Sequence, residues 1–178
     1  MIFLETEIPG AYWIDVERCE DSRGWFGRSW CEAEFRDHGL NSRLVQCNIS
    51  FNKTRGTLRG MHYQVAPHEE AKLVRCTQGA IHDVIIDLRP SSKAYLRHVA
   101  VVLSAENRRL LYIPEGCAHG FQTLVDNVEV FYQMSESFAP DCARGVRWDD
   151  PCFTIQWPVD QPIISERDRG YPDFHPMR

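Results

Sequence analysis

The groups in this chain that can move a proton or hold an anion lie at a few recognisable places. Thr57-Leu58-Arg59-Gly60-Met61-His62-Tyr63-Gln64 reads as a strand, and alternation along a strand puts Leu58, Gly60, His62 and Gln64 on one face. A glycine beside a histidine on an inward face leaves room for a ligand. Taken alone, such a histidine also reads as a satisfied core residue. Lys72 shares its face with Val74 and Cys76. A lysine on an apolar face is costly to bury unless it meets an anion or a developing charge, although at a strand end it can snorkel to water.

Tyr112-Ile113-Pro114-Glu115-Gly116-Cys117-Ala118-His119-Gly120-Phe121 is a tight turn entering a strand, again with a histidine beside a glycine. Tyr132, on a face with Val128 and Val130, reads in isolation as core, its hydroxyl bonded to a carbonyl. Asp168 closes Ser165-Glu166-Arg167-Asp168, which also resembles a capping box. Arg23 in Asp21-Ser22-Arg23-Gly24 fits an ordinary turn. Gln46 and Asn48 share a strand face, as ligand contacts or as a polar edge. His82, in line with Val84, Ile86 and Leu88, reads as core.

These residues need a scaffold, and the chain supplies strands. Runs rich in Val, Ile, Leu and aromatics fall at Leu44–Ile49, Gly56–Tyr63, Lys72–Thr77, Ile81–Leu88, Leu96–Leu103, Arg108–Ile113, His119–Leu124 and Val128–Met134. Gly79, Arg89-Pro90-Ser91-Ser92, Pro114-Glu115-Gly116 and Asp126-Asn127 punctuate them. Evenly spaced short strands without intervening helices predict an all-β jelly roll or barrel. A short peripheral helix is predicted at Cys31–His38, stopped by Gly39. From Asp149 the pattern predicts irregular wrapping and one helical turn near Ser165.

Length and composition narrow the function. The 178 residues are most simply one domain, 1–178. A net charge of -5 argues against general affinity for nucleic acid or anionic membranes, yet local arginines can still hold a small anion. Seven cysteines, odd in number and without a C-x-x-C pair, read as reduced thiols of a cytoplasmic protein. The acidic start, Met1-Ile2-Phe3-Leu4-Glu5-Thr6-Glu7, does not fit a signal peptide. No apolar run approaches the roughly 18 residues of a membrane span.

The strings DSRGWF, QCNISFNKTRGTLRGMHYQ, KLVRCTQGAIHDVIIDLRP, LSAENRRLLYIPEGCAHGF, WDDP and ISERD, in this order, resemble the dTDP-4-dehydrorhamnose 3,5-epimerase family over about residues 8 to 173. The resemblance implies a cupin-like double-stranded β-helix (jelly roll), a homodimer, no metal and no organic cofactor. It implies a nucleotide-diphosphate-linked 4-keto-6-deoxyhexose as substrate. It casts His62 as catalytic base, Asp168 as its orienting carboxylate, Lys72 as the group near the keto oxygen and Tyr132 as general acid. It makes His119, Gln46 and Asn48 substrate contacts, Arg59 a diphosphate ligand, and Arg23 and Phe26 further contacts, Arg23 reaching the neighbouring subunit's site. Two positions depart from the family pattern: Phe138 stands where a tyrosine often stacks on the nucleobase, and Gln133 where lysine is common.

Such a set would invert carbons beside a ketone, whose hydrogens are weakly acidic, by removing a proton from one face and returning one to the other. Inversion at C3 alone or C5 alone uses the same residues. A metal-dependent cupin would need converging ligands; His62, His82 and His119 lack the usual paired spacing, and Lys72 is a poor neighbour for a cation. A non-catalytic sugar-binding cupin would bind the nucleotide sugar without solvent exchange.

Overall fold

The computed structural model describes residues 1–176. The strands are Ile2–Glu5 (β1), Tyr12–Asp15 (β2), Cys19–Asp21 (β3), Gly24–Phe26 (β4), Gln46–Asn52 (β5), Leu58–Gln64 (β6) and Lys72–Gln78 (β7). They continue as Ala80–Asp87 (β8), His98–Ser104 (β9), Leu110–Ile113 (β10), Cys117–Thr123 (β11), Val128–Met134 (β12) and Ala143–Gly145 (β13). Two short helices, Glu32–Asp37 (α1) and Glu166–Arg169 (α2), complete the described residues.

Two antiparallel sheets face each other, ordered β1-β2-β10-β7-β12-β5 and β13-β6-β11-β8-β9. This is the cupin-type jelly roll. Between them, Val74, Cys76, Leu111, Val128 and Val130 from the first sheet meet Ile81, Ile85, Leu103 and Phe121 from the second. α1 covers the back of the six-stranded sheet, where Phe35 packs with Ile14, Leu73 and Tyr112. The C-terminal wrap covers the back of the other sheet, where Phe153 and Val146 join Met61, Val84 and Ile86. His82 lies on this outer face, edge-on to Trp157.

All eight predicted strands form, with ends shifted by a few residues. The strands that sequence patterning missed are short or polar. β1 and β2 have four residues each, and β2 pairs with β10 from nearly a hundred residues away. β13, Ala143-Arg144-Gly145, has no β-branched residue and is a strand only because β6 pairs with it. Long-range pairing leaves little local trace.

One correction concerns the face of β6. Between the pairs His62–His119 and Arg59–Phe121, β6 advances three residues and β11 two, so β6 carries a bulge. Cross-strand partners share a face. Arg59 therefore joins His62 on the inner face, while Leu58, opposite Gln122, turns outward with Met61. Strict alternation, which grouped Leu58 with His62, fails at this bulge. Gly60 makes it possible. Its φ is +136°, and a Cβ there would lie 2.5 Å from Gly120 Cα, so only glycine suits both the backbone and the contact.

Candidate active site

A cavity of about 560 Å³ opens between the sheets. β6 and β11 bring His62, Arg59 and His119 to one wall; β5, β7 and β12 bring Gln46, Asn48, Lys72 and Tyr132 to the other.

On the first wall, His62 Nε2 is bonded to Asp168 Oδ1 at 2.7 Å. The helical turn α2 sets that carboxylate. Ser165 is its N-cap, and Ser165 Oγ accepts the Asp168 backbone N–H at 3.1 Å. The cap is thus Ser165, and the Asp168 side chain turns to the histidine. The Gly60 backbone N–H donates to Asp168 Oδ2 at 3.4 Å. Burial by itself pushes the Asp168 carboxyl up, but the bond and charge of His62, aided by Gly60 and Ser165, hold it below the usual aspartate value. His119 repeats the theme, with Nε2 2.5 Å from Oδ1 of the fully buried Asp83.

On the opposite wall, Lys72 is 8% exposed. Its Nζ donates to Glu70 Oε1 at 2.8 Å and to the His62 carbonyl at 3.3 Å. Burial pushes the Tyr132 hydroxyl above the ordinary tyrosine range, and the charge of Arg59 pulls it part of the way back. The hydroxyl therefore keeps its proton at neutral pH.

Polar groups continue outward. Gln46 Nε2 donates to Asn48 Oδ1 at 3.0 Å, and Gln46 Oε1 accepts the Phe138 backbone N–H at 3.0 Å. This sets the half-exposed Phe138 ring at the rim. Arg59 Nε donates to Asn52 Oδ1 at 2.7 Å. Arg144 and Arg167 also line the cavity. With Arg59 and Lys72 they make four cationic side chains against one lining carboxylate, Glu70, in a chain of net charge -5. Charge so concentrated in a cleft selects an anion.

The structure thus gathers nine of the eleven predicted residues: His62, Tyr132, Lys72, His119, Arg59, Gln46, Asn48 and Phe138 line the cavity, and Asp168 stands behind His62. It does not gather Arg23 and Phe26. They sit on the β3–β4 hairpin, where the Arg23 side chain is 89% exposed and pairs with Asp21, and Phe26 is 74% exposed. Sequence reasoning missed Glu70, Asp83, Arg144 and Arg167. Arg167 lay inside the ISERD string, and inward alternation on β8 would have flagged Asp83. Glu70 and Arg144 had no local signal. His82 faces away from the cavity, and among the described residues no three His, Cys, Asp or Glu side chains cluster as metal ligands would.

A histidine oriented by a carboxylate on one wall, facing a proton-bearing tyrosine and a buried lysine on the other, can take a proton from one face of a bound molecule and return one to its other face. That is the chemistry of an epimerase. A sequence model of dTDP-4-dehydrorhamnose 3,5-epimerase matches residues 5–176, and the chain belongs to that family. The dTDP-4-dehydrorhamnose 3,5-epimerase of Methanothermobacter thermautotrophicus is 45% identical over 172 residues, 95% of this chain and 92% of the relative. The crystal structure of the Elizabethkingia anophelis dTDP-4-dehydrorhamnose 3,5-epimerase superposes with a TM-score of 0.95 at 35% identity, covering 98% and 96% of the two chains. ChmJ, a 3'-monoepimerase from Streptomyces bikiniensis in complex with dTDP-quinovose, superposes with a TM-score of 0.86 at 31% identity, covering 94% and 85%.

The depressed Asp168 carboxyl has a consequence for acid stability. A group whose pKa falls on folding stabilises the fold above its unfolded value, about 4 for aspartate, and that stability is lost as pH drops through the folded value. Urea midpoints measured from pH 7 down to pH 3 should fall less steeply for Asp168→Asn than for the unaltered protein. Parallel acid limbs would mean that the His62 bond does not hold this carboxylate down.

Proposed function

We propose that this protein epimerises a nucleotide-diphosphate-linked 4-keto-6-deoxyhexose at C3, C5 or both. The observation that carries the reading is the placement of His62, held by Asp168, across one cavity from Tyr132. With the Nε2–H given to Asp168, His62 Nδ1 keeps a lone pair to accept the proton from the carbon beside the ketone. The electron pair left on carbon moves onto the keto oxygen, and the Lys72 ammonium stabilises that enolate. Tyr132 delivers a proton to the opposite face. His62 and Tyr132 then exchange protons with water and are reset. Arg59, with Arg144 and Arg167, holds the diphosphate; His119, Gln46 and Asn48 bond the sugar and its linkage, and Phe138 faces the nucleobase. The likeness to ChmJ favours a second reading, a single inversion at C3, and the coupling constants of the product distinguish one inversion from two.

The protein is further proposed to work in the cytoplasm as a homodimer. Unpaired thiols on all seven cysteines suit a reducing compartment. Phe26 at 74% exposure, Ile49 at 65% and Phe51 at 48% are large apolar side chains of the kind a partner covers. Arg23 and Phe26, remote from their own cavity, are placed by this reading in the partner's.

His62→Ala should lower deuterium incorporation from D₂O at both carbons on the order of 10²-fold or more, the usual worth of a general base. Near-normal exchange in the folded variant would remove His62 from the mechanism. Shared sites predict complementation as well. Mixed and re-equilibrated, Arg23→Ala and His62→Ala chains form hybrid dimers with one intact site, restoring about a quarter of the unaltered activity. No gain over the separate variants would contradict a shared site.

A further inference from the structure

Glu70 is buried, with its side chain 3% exposed, and among the described residues it is the one carboxylate lining the cavity. Its Oε1 accepts from Lys72 Nζ at 2.8 Å; its Oε2 is buried with no hydrogen-bond partner among the described residues. The backbone around it is fixed on both sides. Gln64 Nε2 donates to the His68 carbonyl at 2.7 Å, and the Ala71 N–H donates to Ser135 Oγ at 2.8 Å.

Stability does not explain this arrangement. A buried ion pair often contributes no more than a packed apolar pair would, and a half-satisfied carboxylate adds a desolvation cost. What the pair does is hold an ammonium at the cavity wall. Arg59, Arg144 and Arg167 line the same cavity and repel a further cation. Glu70, bonded to Nζ, counters that repulsion and fixes where Nζ points.

We propose that Glu70 is a positioning residue that acts through Lys72: it holds the ammonium aimed at the oxygen on which the enolate develops. This rests on the enolate chemistry proposed above. On this reading Glu70 acts on neither the substrate nor the proton in flight.

A double-mutant cycle tests it, using Glu70→Gln, Lys72→Met and the double variant in the whole protein. The readouts are deuterium incorporation into a nucleotide-linked 4-keto-6-deoxyhexose and thermal melting. Glu70→Gln should lower kcat for exchange about 10-fold or more, with KM changed less than about 2-fold, as expected for a displaced catalytic group. With Lys72→Met already present, Glu70→Gln should change the rate less than about 2-fold. It should also raise the melting temperature of Lys72→Met, because removing the cation strands Glu70 as a lone buried carboxylate. An equal loss of rate in both backgrounds, or an unaltered rate in Glu70→Gln, overturns the proposal. If Glu70→Gln fails to fold while the double variant folds, the pairing is upheld. If the unaltered protein exchanges no deuterium, the proposed function fails, and the melting temperatures alone then decide the pairing.

Discussion

The contact of Gly60 with Gly120 is the constraint on which the rest of the site depends. Two backbones meet there without side chains, and the positive φ of Gly60 lets β6 take one residue more than β11. That extra residue moves Arg59 to the inner face beside His62. It also turns the Gly60 N–H to Asp168 Oδ2. A regular ladder would send Arg59 to the outer face, toward Met61 and the C-terminal wrap. A methyl group at residue 60 would collide with the neighbouring strand.

Around that contact the cavity follows one electrostatic plan. The carboxylates Asp168 and Asp83 stand behind histidines, and Glu70 is paired with Lys72. The open space is faced by imidazole, phenol, amides and four cations, with Glu70 the one lining carboxylate among the described residues. Such a cavity draws an anion in from an acidic protein's surroundings and supplies positive charge where a ketone oxygen would become an enolate. Because the groups are fixed by sheet register and by buried partners, little reorganisation is needed as the charge develops. The two-sheet architecture suits inversion, since His62 and Tyr132, the proposed base and acid, come from different sheets.

Much of this was legible in the sequence. Apolar runs and their turn residues marked the central strands, and inward alternation correctly put Lys72 with Val74 and Tyr132 with Val130. What failed was any inference that needs register. Arg59 could not be placed with His62 without knowing the bulge, because one extra residue reverses every face beyond it. The pairing of His119 with Asp83 spans 36 residues, and β2 and β13 exist through their partners. Arg23 and Phe26 were picked out by their string, yet one chain gives them no cavity to enter. Ser165-Glu166-Arg167-Asp168 was legible as a cap, and the destination of the Asp168 side chain was not.

The central claim is that acid and base act from opposite walls, and Tyr132→Phe tests it most directly. Phenylalanine keeps the packing against Val128 and Val130, and with it His62, Lys72 and the fold. The variant, incubated with a nucleotide-linked 4-keto-6-deoxyhexose in D₂O, is followed by mass spectrometry for deuterium and by NMR coupling constants for configuration. The account predicts that deuterium enters the sugar while little inverted product forms, because the proton is then returned from the His62 face. Inversion by Tyr132→Phe at the unaltered rate would contradict the account.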